Sequence, residues 1–225
     1  MSSQPRAGVL LDVDGTLLDT NYLHVLAWWR AFRDTGHEHV TMAQLHRAIG
    51  MASEMLVEEL LGDVDEDTVE AHSKRFEELR QMAGPLPGAA DLIHACSDRG
   101  LVTVLATSGK SDDLEWMLPA IGAGDVLTGS TTSEDVDRSK PAPDLLQTAV
   151  GQHGLDPERT TVVGDTVWDV QSATRAGMAC VALTSGGISA QELREAGAVE
   201  VYGDPADLLE NLADSVVVRR AEGTV

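Results

Sequence analysis

Two carboxylates at the end of an apolar segment are the first residues in the chain whose types and spacing could do chemistry. Asp12 and Asp14 follow the run Val9 to Leu11, and Gly15 ends that run. Because side chains alternate faces in an extended chain, both acids leave the strand on the same side. Adjacent carboxylates repel each other, so the pattern predicts a nearby cation, proton or lysine. A turn with two solvated acids is the alternative that these residues alone leave open.

Other predicted strands also end in polar residues. Thr107 and Asp165 each follow an apolar segment, and Asp169 comes four residues after Asp165. The carboxyl ends of parallel strands meet at one edge of a sheet, where ligands bind, so we expect these side chains near Asp12 and Asp14. Mg²⁺ prefers carboxylate, water and phosphate oxygens. We therefore predict a Mg²⁺ site formed by Asp12, Asp14, Asp165 and Asp169, with Asp169 a ligand directly or through water.

These side chains could together carry out phosphoryl transfer, which needs positioning and positive charge around the phosphoryl oxygens. Lys140, one of only three lysines in the chain, precedes a proline-rich corner and would supply such a charge. Thr107 would donate its hydroxyl to a phosphoryl oxygen. Asp12 would attack phosphorus and form an aspartyl-phosphate, while Asp14 would protonate the leaving alkoxide and later deprotonate water. A surface lysine and a helix-capping threonine are the alternative roles for Lys140 and Thr107.

The order of predicted elements indicates an α/β fold. Strands and helices alternate over short loops from residue 86 onward, which predicts a Rossmann-like parallel sheet with helices on both faces. Between residues 20 and 84 the apolar residues recur at helical spacing only. We therefore predict a catalytic core formed by residues 1–19 and 86–225, and an inserted helical cap formed by residues 20–85. The tail after residue 212 is too short and mixed to interpret.

Four segments resemble, in order, the four motifs of the haloacid dehalogenase-like hydrolase superfamily. They are Asp12 to Thr16, the strand-terminal Thr107, Lys140 with Pro141, and the segment from Gly164 to Asp169. The resemblance covers nearly the whole chain and implies a Rossmann-like core, Mg²⁺ dependence, an aspartyl-phosphate and a helical cap after the first motif. The segment from Leu86 to Ala89 is similar to members of the phosphoglycolate phosphatase and β-phosphoglucomutase type.

Within that superfamily the resemblance favours a phosphatase. Haloacid dehalogenases have no acid at the position of Asp14, because their reaction needs no protonation of a leaving group. A sugar phosphomutase is the alternative, since Thr20, His24 and the pair Ala27 and Trp28 resemble the hinge region of β-phosphoglucomutases. Gly164 before Asp165 is the form common in phosphatases, where mutases tend to carry a second acid. A non-catalytic member that binds phosphate or a partner protein is a further alternative.

Substrate contacts are predicted in two places. Ser108 and Gly109 follow Thr107 at the start of a predicted helix, where backbone N–H groups and hydroxyls favour phosphate. In the predicted cap, His24 and Arg47 are candidates for contacting the substrate, Arg47 through an anionic group. A packing role is the alternative for His24, because aromatic residues dominate its helix. The substrate itself, a small phosphorylated metabolite, is not specified further by the sequence.

The composition disfavours polyanionic partners. The net charge of −21 results from 37 acids and 16 bases, whereas nucleic acids and anionic membranes are bound by clustered basic residues. There is no apolar run of about eighteen residues and no leader-like segment at the start, so we expect a cytoplasmic protein. Two cysteines far apart in sequence suit a reducing compartment. No feature indicates a protein partner.

Overall fold

A single parallel sheet organises the residues that the computed structural model describes, 5–224. Its strands are β1 (Arg6–Leu11), β2 (Val102–Ala106), β3 (Gly129–Thr131), β4 (Leu155–Gly164), β5 (Ala179–Leu183) and β6 (Glu200–Tyr202). They lie in the order β3-β2-β1-β4-β5-β6. Every neighbouring pair is parallel. The chain therefore extends the sheet on one side of β1 and then on the other.

The strands at the centre of the sheet are buried on both faces. All residues of β2 and β5 are buried, and Val9 and Leu11 of β1 point into one hydrophobic cluster while Leu10 points into the other. This alternation is the period of two that strand geometry imposes. Continuous apolar strands are typical of parallel sheets that helices cover on both faces. The predicted α/β fold with a parallel sheet is confirmed.

Helices that follow β1 along the chain divide into two groups. The segment between β1 and β2 contains α1 (Asn21–Asp34), α2 (Met42–Ala48), α3 (Ser53–Leu61), α4 (Glu66–Leu79) and α5 (Ala89–Asp98). The helices after β2 are α6 (Leu114–Ile121), α7 (Asp144–His153), α8 (Val167–Arg175), α9 (Ala190–Ala196), α10 (Pro205–Glu210) and α11 (Val216–Glu222). Helices α5, α6, α10 and α11 contribute to the hydrophobic cluster that contains Val9 and Leu11, called the first cluster below. Helices α7, α8 and α9 contribute to the cluster that contains Leu10.

Helices α1 to α4 have a hydrophobic core of their own. Trp28 and Phe32 of α1, Leu45 of α2 and Leu56 of α3 belong to one buried cluster that contains no strand residue. The chain leaves the sheet and returns to it through two neighbouring segments, where Asp19 N–H donates to the Gly84 carbonyl at 2.9 Å. Leu86 N–H donates to the carbonyl of Leu17 at 2.8 Å in the same place. We propose on these contacts that residues 20–85 form the cap.

The last residues form structure that the sequence did not indicate. Residues 216–222 form α11, and Val216, Val217 and Val218 are buried in the first cluster. The Arg159 side chain donates to the carbonyl of Ala221 and fixes the end of this helix against β4. The three valines alone gave no helical period, so the helix depends on packing. No helix within residues 5–224 is long and apolar enough to cross a bilayer.

Candidate active site

The predicted reaction centre lies at the carboxyl ends of β1 and β4. These strands are neighbours at the position where the strand order reverses, which is where open α/β sheets bind ligands. Asp12 directly follows β1, and its Oδ1 lies 2.5 Å from Nζ of Lys140. Lys140 Nζ also lies 2.7 Å from Oδ1 of Asp169. Asp12 is 7% exposed and Lys140 2% exposed, so this is a buried ion-pair network.

Three carboxylates come together around that lysine. Asp12, Asp165 and Asp169 each offer an oxygen, and these oxygens lie within 4.8 Å of one another. Asp165 follows β4 and accepts hydrogen bonds from Thr16 Oγ1 at 2.9 Å and from Asn21 Nδ2 at 2.7 Å. Asp169 lies in the first turn of α8, where its Oδ2 accepts from Thr166 N–H at 3.1 Å as part of a capping box. Local capping therefore fixes the orientation of Asp169 before any ligand binds.

The three buried acids, when ionised, carry more negative charge than Lys140 compensates, and the pKa values of Asp12 and Asp165 are raised. Burial raises the pKa of Asp12 to about 7, with Asp169 acting in the same direction and Lys140 in the opposite one. Burial and the charges of Asp12 and Asp169 raise the pKa of Asp165 well above its usual range. Burial lowers the pKa of Lys140, but Asp12 and Asp169 outweigh that effect, so its net pKa is raised. One ammonium thus faces three carboxylates.

This excess of charge and the donor set fit a divalent cation. When all three acids are ionised, three carboxylates against one ammonium leave two negative charges, which equal the charge of Mg²⁺. The raised pKa values of Asp12 and Asp165 mean that protons reduce this charge when no cation is bound. Asp169 Oδ1 is buried, and its contact within residues 5–224 is the ion pair with Lys140 at 2.7 Å. Carboxylate oxygens are ligands that Mg²⁺ prefers. Asp12, Asp165 and Asp169 are therefore the side chains that could hold the metal.

The Asp14 side chain lies outside this group of three, although it was predicted as a ligand. Its Oδ1 accepts from Thr20 Oγ1 at 2.6 Å and lies 3.3 Å from His24 Nε2. Burial raises the pKa of Asp14, but His24 and Thr20 outweigh that effect, and the net pKa is lower than usual. Asp12 and Asp14 nevertheless line the same cavity. The structure thus places the Asp14 carboxylate beside the cap rather than among the other acids.

Cap residues complete a cavity of about 540 Å³ over Asp12 and Asp14. His24 lies in its wall and stacks on Phe76, with ring centroids 3.8 Å apart. His24 Nδ1 also lies 3.3 Å from Nε2 of His72, a cap residue that the sequence analysis did not single out. Aromatic stacking and the contact with Asp14 together hold the His24 ring. His24 is therefore both packed in the cap and placed at the reaction centre.

The segment after β2 contributes to the opposite wall. Ser108 and Gly109 line the cavity, and Ser108 Oγ donates to the carbonyl of Gly50 in the cap at 3.0 Å. Thr107 is fully buried and is not part of the cavity wall. Its hydroxyl accepts from Gly109 N–H at 3.0 Å. The structure therefore brings two of these three predicted substrate contacts to the cavity, and Thr107 orients the turn that carries them.

Arg47 is not brought to the cavity. Its Nη1 lies 2.7 Å from Oε1 of Glu192, and its side chain is 70% exposed. The carbonyl of Arg47 accepts from Trp168 Nε1 at 3.2 Å. These contacts join α2 to α8 and α9, outside the cavity. The contact with substrate predicted for Arg47 has no support from this position.

Sequence reasoning did not identify several residues that hold Asp165. Thr16 and Asn21 donate to the two oxygens of its carboxylate, and Asn21 is the first residue of the cap helix α1. Gly186 passes so close that a Cβ at this position would collide with Asp165 Oδ2. The two hydrogen bonds join residues 149 and 144 positions apart, so no local pattern reveals them.

Comparisons with known proteins agree with the motifs and the fold. Residues 9–183 match the family model described as haloacid dehalogenase-like hydrolase. The chain belongs to this family. The predicted resemblance is confirmed, and so is the prediction that the protein is an enzyme.

Individual relatives cover most of the chain. A validoxylamine A 7'-phosphate phosphatase from Streptomyces hygroscopicus subsp. limoneus is 31% identical over 78% of this chain and 84% of its own length. A phosphoglycolate phosphatase from Aliivibrio fischeri is 27% identical over 79% of this chain and 84% of its own length. The crystal structure of a hydrolase from Pseudomonas syringae has a TM-score of 0.86 and 34% identity, covering 93% of this chain and 99% of that one.

Proposed function

We propose that the protein is a Mg²⁺-dependent phosphatase that hydrolyses a small phosphorylated metabolite through an aspartyl-phosphate on Asp12. The observation that carries this proposal is the position of Asp12. Its carboxylate contacts Lys140, belongs to a cluster of three acids and lines a cavity that the cap covers. The relatives named as phosphatases of phosphorylated metabolites support the same reaction class.

In the first proposed step an Asp12 oxygen attacks phosphorus and the bond from phosphorus to the ester oxygen breaks. Asp14 gives its proton to the departing alkoxide, since both acids line the same cavity. The pKa of Asp14 is low in the free protein, where His24 and Thr20 favour its charged form. A bound phosphate dianion raises that pKa because nearby negative charge favours the neutral form. Substrate thus prepares Asp14 to act as an acid.

In the second step water attacks phosphorus of the aspartyl-phosphate and the bond to Asp12 breaks. Asp14, now a carboxylate, takes the proton of the attacking water, and inorganic phosphate is released. Lys140 balances charge at Asp12 in both steps through its buried ion pair. Asp12, Asp165 and Asp169 would hold Mg²⁺, which when bound supplies positive charge for the phosphoryl oxygens.

Gly164 favours hydrolysis over a mutase reaction. A Cβ at this position would lie 2.5 Å from Asp169 Cβ, closer than real side chains approach one another. The second acid that sugar phosphomutases tend to carry before Asp165 therefore does not fit beside Asp169. A phosphatase is therefore better supported than a sugar phosphomutase.

The nucleophile is tested by replacing Asp12 with asparagine. We expect Asp12→Asn to lower kcat for p-nitrophenyl phosphate by about 10³-fold or more, because the amide oxygen is a poor nucleophile. Asp214→Asn is the matched control, since Asp214 is exposed in the segment before α11, and its kcat should be unchanged. Full phosphate release by Asp12→Asn would contradict the proposed function. ³¹P NMR of β-glucose 1-phosphate turnover separates release of phosphate from conversion to glucose 6-phosphate.

A further inference from the structure

The cavity beside Asp12 determines which phosphate esters can bind. Its volume of about 540 Å³ lies within the range of about 300–1,000 Å³ that holds small metabolites. The phosphate group must lie at Asp12, where Lys140 supplies positive charge. The remainder of the substrate must then contact the other residues of the wall. Their chemistry therefore indicates the substrate class.

Two pairs of stacked rings form the cap side of the wall. Trp28 and His72 stack with centroids 3.8 Å apart and planes inclined by 8°, and His24 stacks on Phe76 with the same separation and inclination. All four residues line the cavity. Because each ring is stacked on its partner and Trp28, His72 and Phe76 are at most 7% exposed, the wall presents apolar ring edges and ring nitrogens. It suits a molecule that has both C–H and hydroxyl groups, such as a sugar.

His72 contributes hydrogen bonding without charge. Burial lowers its pKa well below the usual range, and His24 and Lys110 act in the same direction. Because His72 Nε2 already contacts His24 Nδ1, His72 Nδ1 is the nitrogen left to donate to a hydroxyl group or to accept from one. The neutral ring does not attract an anion as an imidazolium would. The buried part of the wall therefore favours uncharged polar groups.

The exposed part of the wall contains more acids than bases, even without counting Asp12 and Asp14. Five carboxylates face two cations: Glu54, Glu77, Asp113, Glu134 and Asp137 against Arg80 and Lys110. Like charges in a cleft with low-dielectric walls repel an anionic ligand more strongly than they would in water. A second anionic group on the substrate would therefore be repelled by the carboxylates of the wall.

The two cations compensate only part of the negative charge of these five acids. Arg80 Nη2 lies 2.5 Å from Oε1 of Glu77, so an acid of the same helical segment already balances its charge. Lys110 contacts Asp113 only through its backbone N–H, which donates to Oδ2 at 3.1 Å. The Lys110 ammonium is in no ion pair within residues 5–224, so it offsets one of the remaining four carboxylates at most. Within residues 5–224 the wall thus has no arginine clamp for a carboxylate or a second phosphate.

From this wall, and resting on the phosphatase activity proposed above, we infer that the substrate is a hydroxylated monophosphate, such as a sugar phosphate, with no second anionic group. Lys140 and the proposed metal compensate the phosphate, whereas the five acids of the wall outnumber its two cations. Phosphoglycolate, phosphogluconate and sugar bisphosphates are then poor substrates. The hydroxyl groups bind at the paired rings, and the acids at the rim exclude further negative charge.

A matched pair of esters tests this inference. Glucose 6-phosphate and 6-phosphogluconate have the same six carbons, but the sugar forms a ring and the acid is open-chain with a carboxylate at carbon 1. Glucitol 6-phosphate, which is open-chain and uncharged at carbon 1, separates the effect of charge from that of the ring. We expect kcat/KM to be at least about tenfold higher for glucose 6-phosphate at low ionic strength. The ratio of the two kcat/KM values should fall in about 0.5 M NaCl, because salt screens the exposed acids. For an ester that turns over slowly, its inhibition constant against p-nitrophenyl phosphate gives the same comparison.

Variants of the wall show whether its acids cause the preference. The double variant Glu54→Gln and Asp137→Asn removes two charges from the cavity, so the ratio should approach one through better use of 6-phosphogluconate. Glu210→Gln is the matched control, because it removes an exposed charge from α10, outside the cavity, and should leave the ratio unchanged. An unchanged ratio in the double variant would contradict the assigned cause.

The outcomes separate this inference from the proposed function. Equal or preferred use of 6-phosphogluconate would overturn the inference while the phosphatase assignment stands. Hydrolysis of p-nitrophenyl phosphate with neither turnover of nor inhibition by glucose 6-phosphate would also overturn it, since the cavity would then not accept a sugar phosphate. Loss of turnover with every ester would contradict the proposed function instead. Calorimetric binding of the two esters would in that case decide the charge preference.

Discussion

Lys140 is the residue on which the buried charges at the site depend. Among the described residues it is the only basic side chain in an ion pair with Asp12 or Asp169, and it is 2% exposed. Buried carboxylates require a partner of opposite charge because desolvation disfavours their ionised form. The side chain therefore has a structural role in addition to the one proposed in catalysis. Stability measurements can separate the two roles.

Lys140→Met removes the ammonium and keeps most of the side-chain volume. We expect the free energy of unfolding without Mg²⁺ to fall by about 3 kcal/mol, because buried carboxylates then lack a partner. Urea denaturation measures the loss. Lys74→Met is the control, since Lys74 is 72% exposed and pairs only with Glu70, and its effect should stay within about 0.5 kcal/mol. A Lys140 variant as stable as the wild type would contradict this role.

Residues that follow apolar strands were predictable from sequence, whereas residues that support them were not. Asp12 and Asp165 interrupt apolar runs, a local pattern, and parallel strands bring such ends together. Asn21 contacts Asp165 only because the cap begins over the end of β4, a contact across 144 positions. The position of Arg47 depends in the same way on how α2 lies against α8 and α9. Its residue type suggested an anion, and the anion it contacts is Glu192.

At the scale of elements, α4 carries His72 and Phe76 into the cavity wall, so its stability matters for the site. Asp65 caps this helix and accepts from the N–H groups of Asp67 and Thr68. His37 Nε2 lies 2.8 Å from Asp65 Oδ2, so the N-terminal capping residue of α4 is also held beside the segment that follows α1. A substitution of Asp65 should therefore destabilise the helical cap of residues 20–85 and leave the sheet intact.

Asp65→Ala should lower the free energy of unfolding by about 1 kcal/mol at pH 7, the usual contribution of such a cap. The hydrogen bonds from His37 and Thr68 hold the pKa of Asp65 below its usual range. A carboxyl with a lowered folded-state pKa stabilises above its unfolded pKa of about 3.9, and the contribution is lost as the pH falls further. The difference between wild type and variant should thus shrink below about pH 4.

Urea unfolding at several pH values measures this difference. Asp63→Ala is a suitable control, because Asp63 is exposed two residues earlier and accepts only from the next N–H, of Val64. It should change stability by less than about 0.5 kcal/mol. A difference for Asp65→Ala that grows toward low pH would contradict the assigned direction of the pKa shift.

At the scale of the whole molecule, the acidic composition complicates any test for the metal. With a net charge of −21 the folded chain repels itself, so any salt stabilises it to some degree by screening. A specific site adds a further contribution to the free energy of unfolding. An ion that binds only the folded state stabilises it by an amount that grows with the logarithm of the ratio of ion concentration to Kd. Specific and general effects can therefore be distinguished by comparing Mg²⁺ with NaCl of equal ionic strength.

We expect Mg²⁺ at about 100 times its Kd to add about 2.7 kcal/mol to the free energy of unfolding. For a chain of this size that is a rise in Tm of roughly 5–10 °C, measured by calorimetry against the NaCl sample. Asp165→Asn should lose most of this specific rise, because it removes one of the three carboxylates, while Glu210→Gln should keep it. Equal shifts with Mg²⁺ and NaCl would show that the cluster holds no specific cation, since screening alone would then explain the stabilisation.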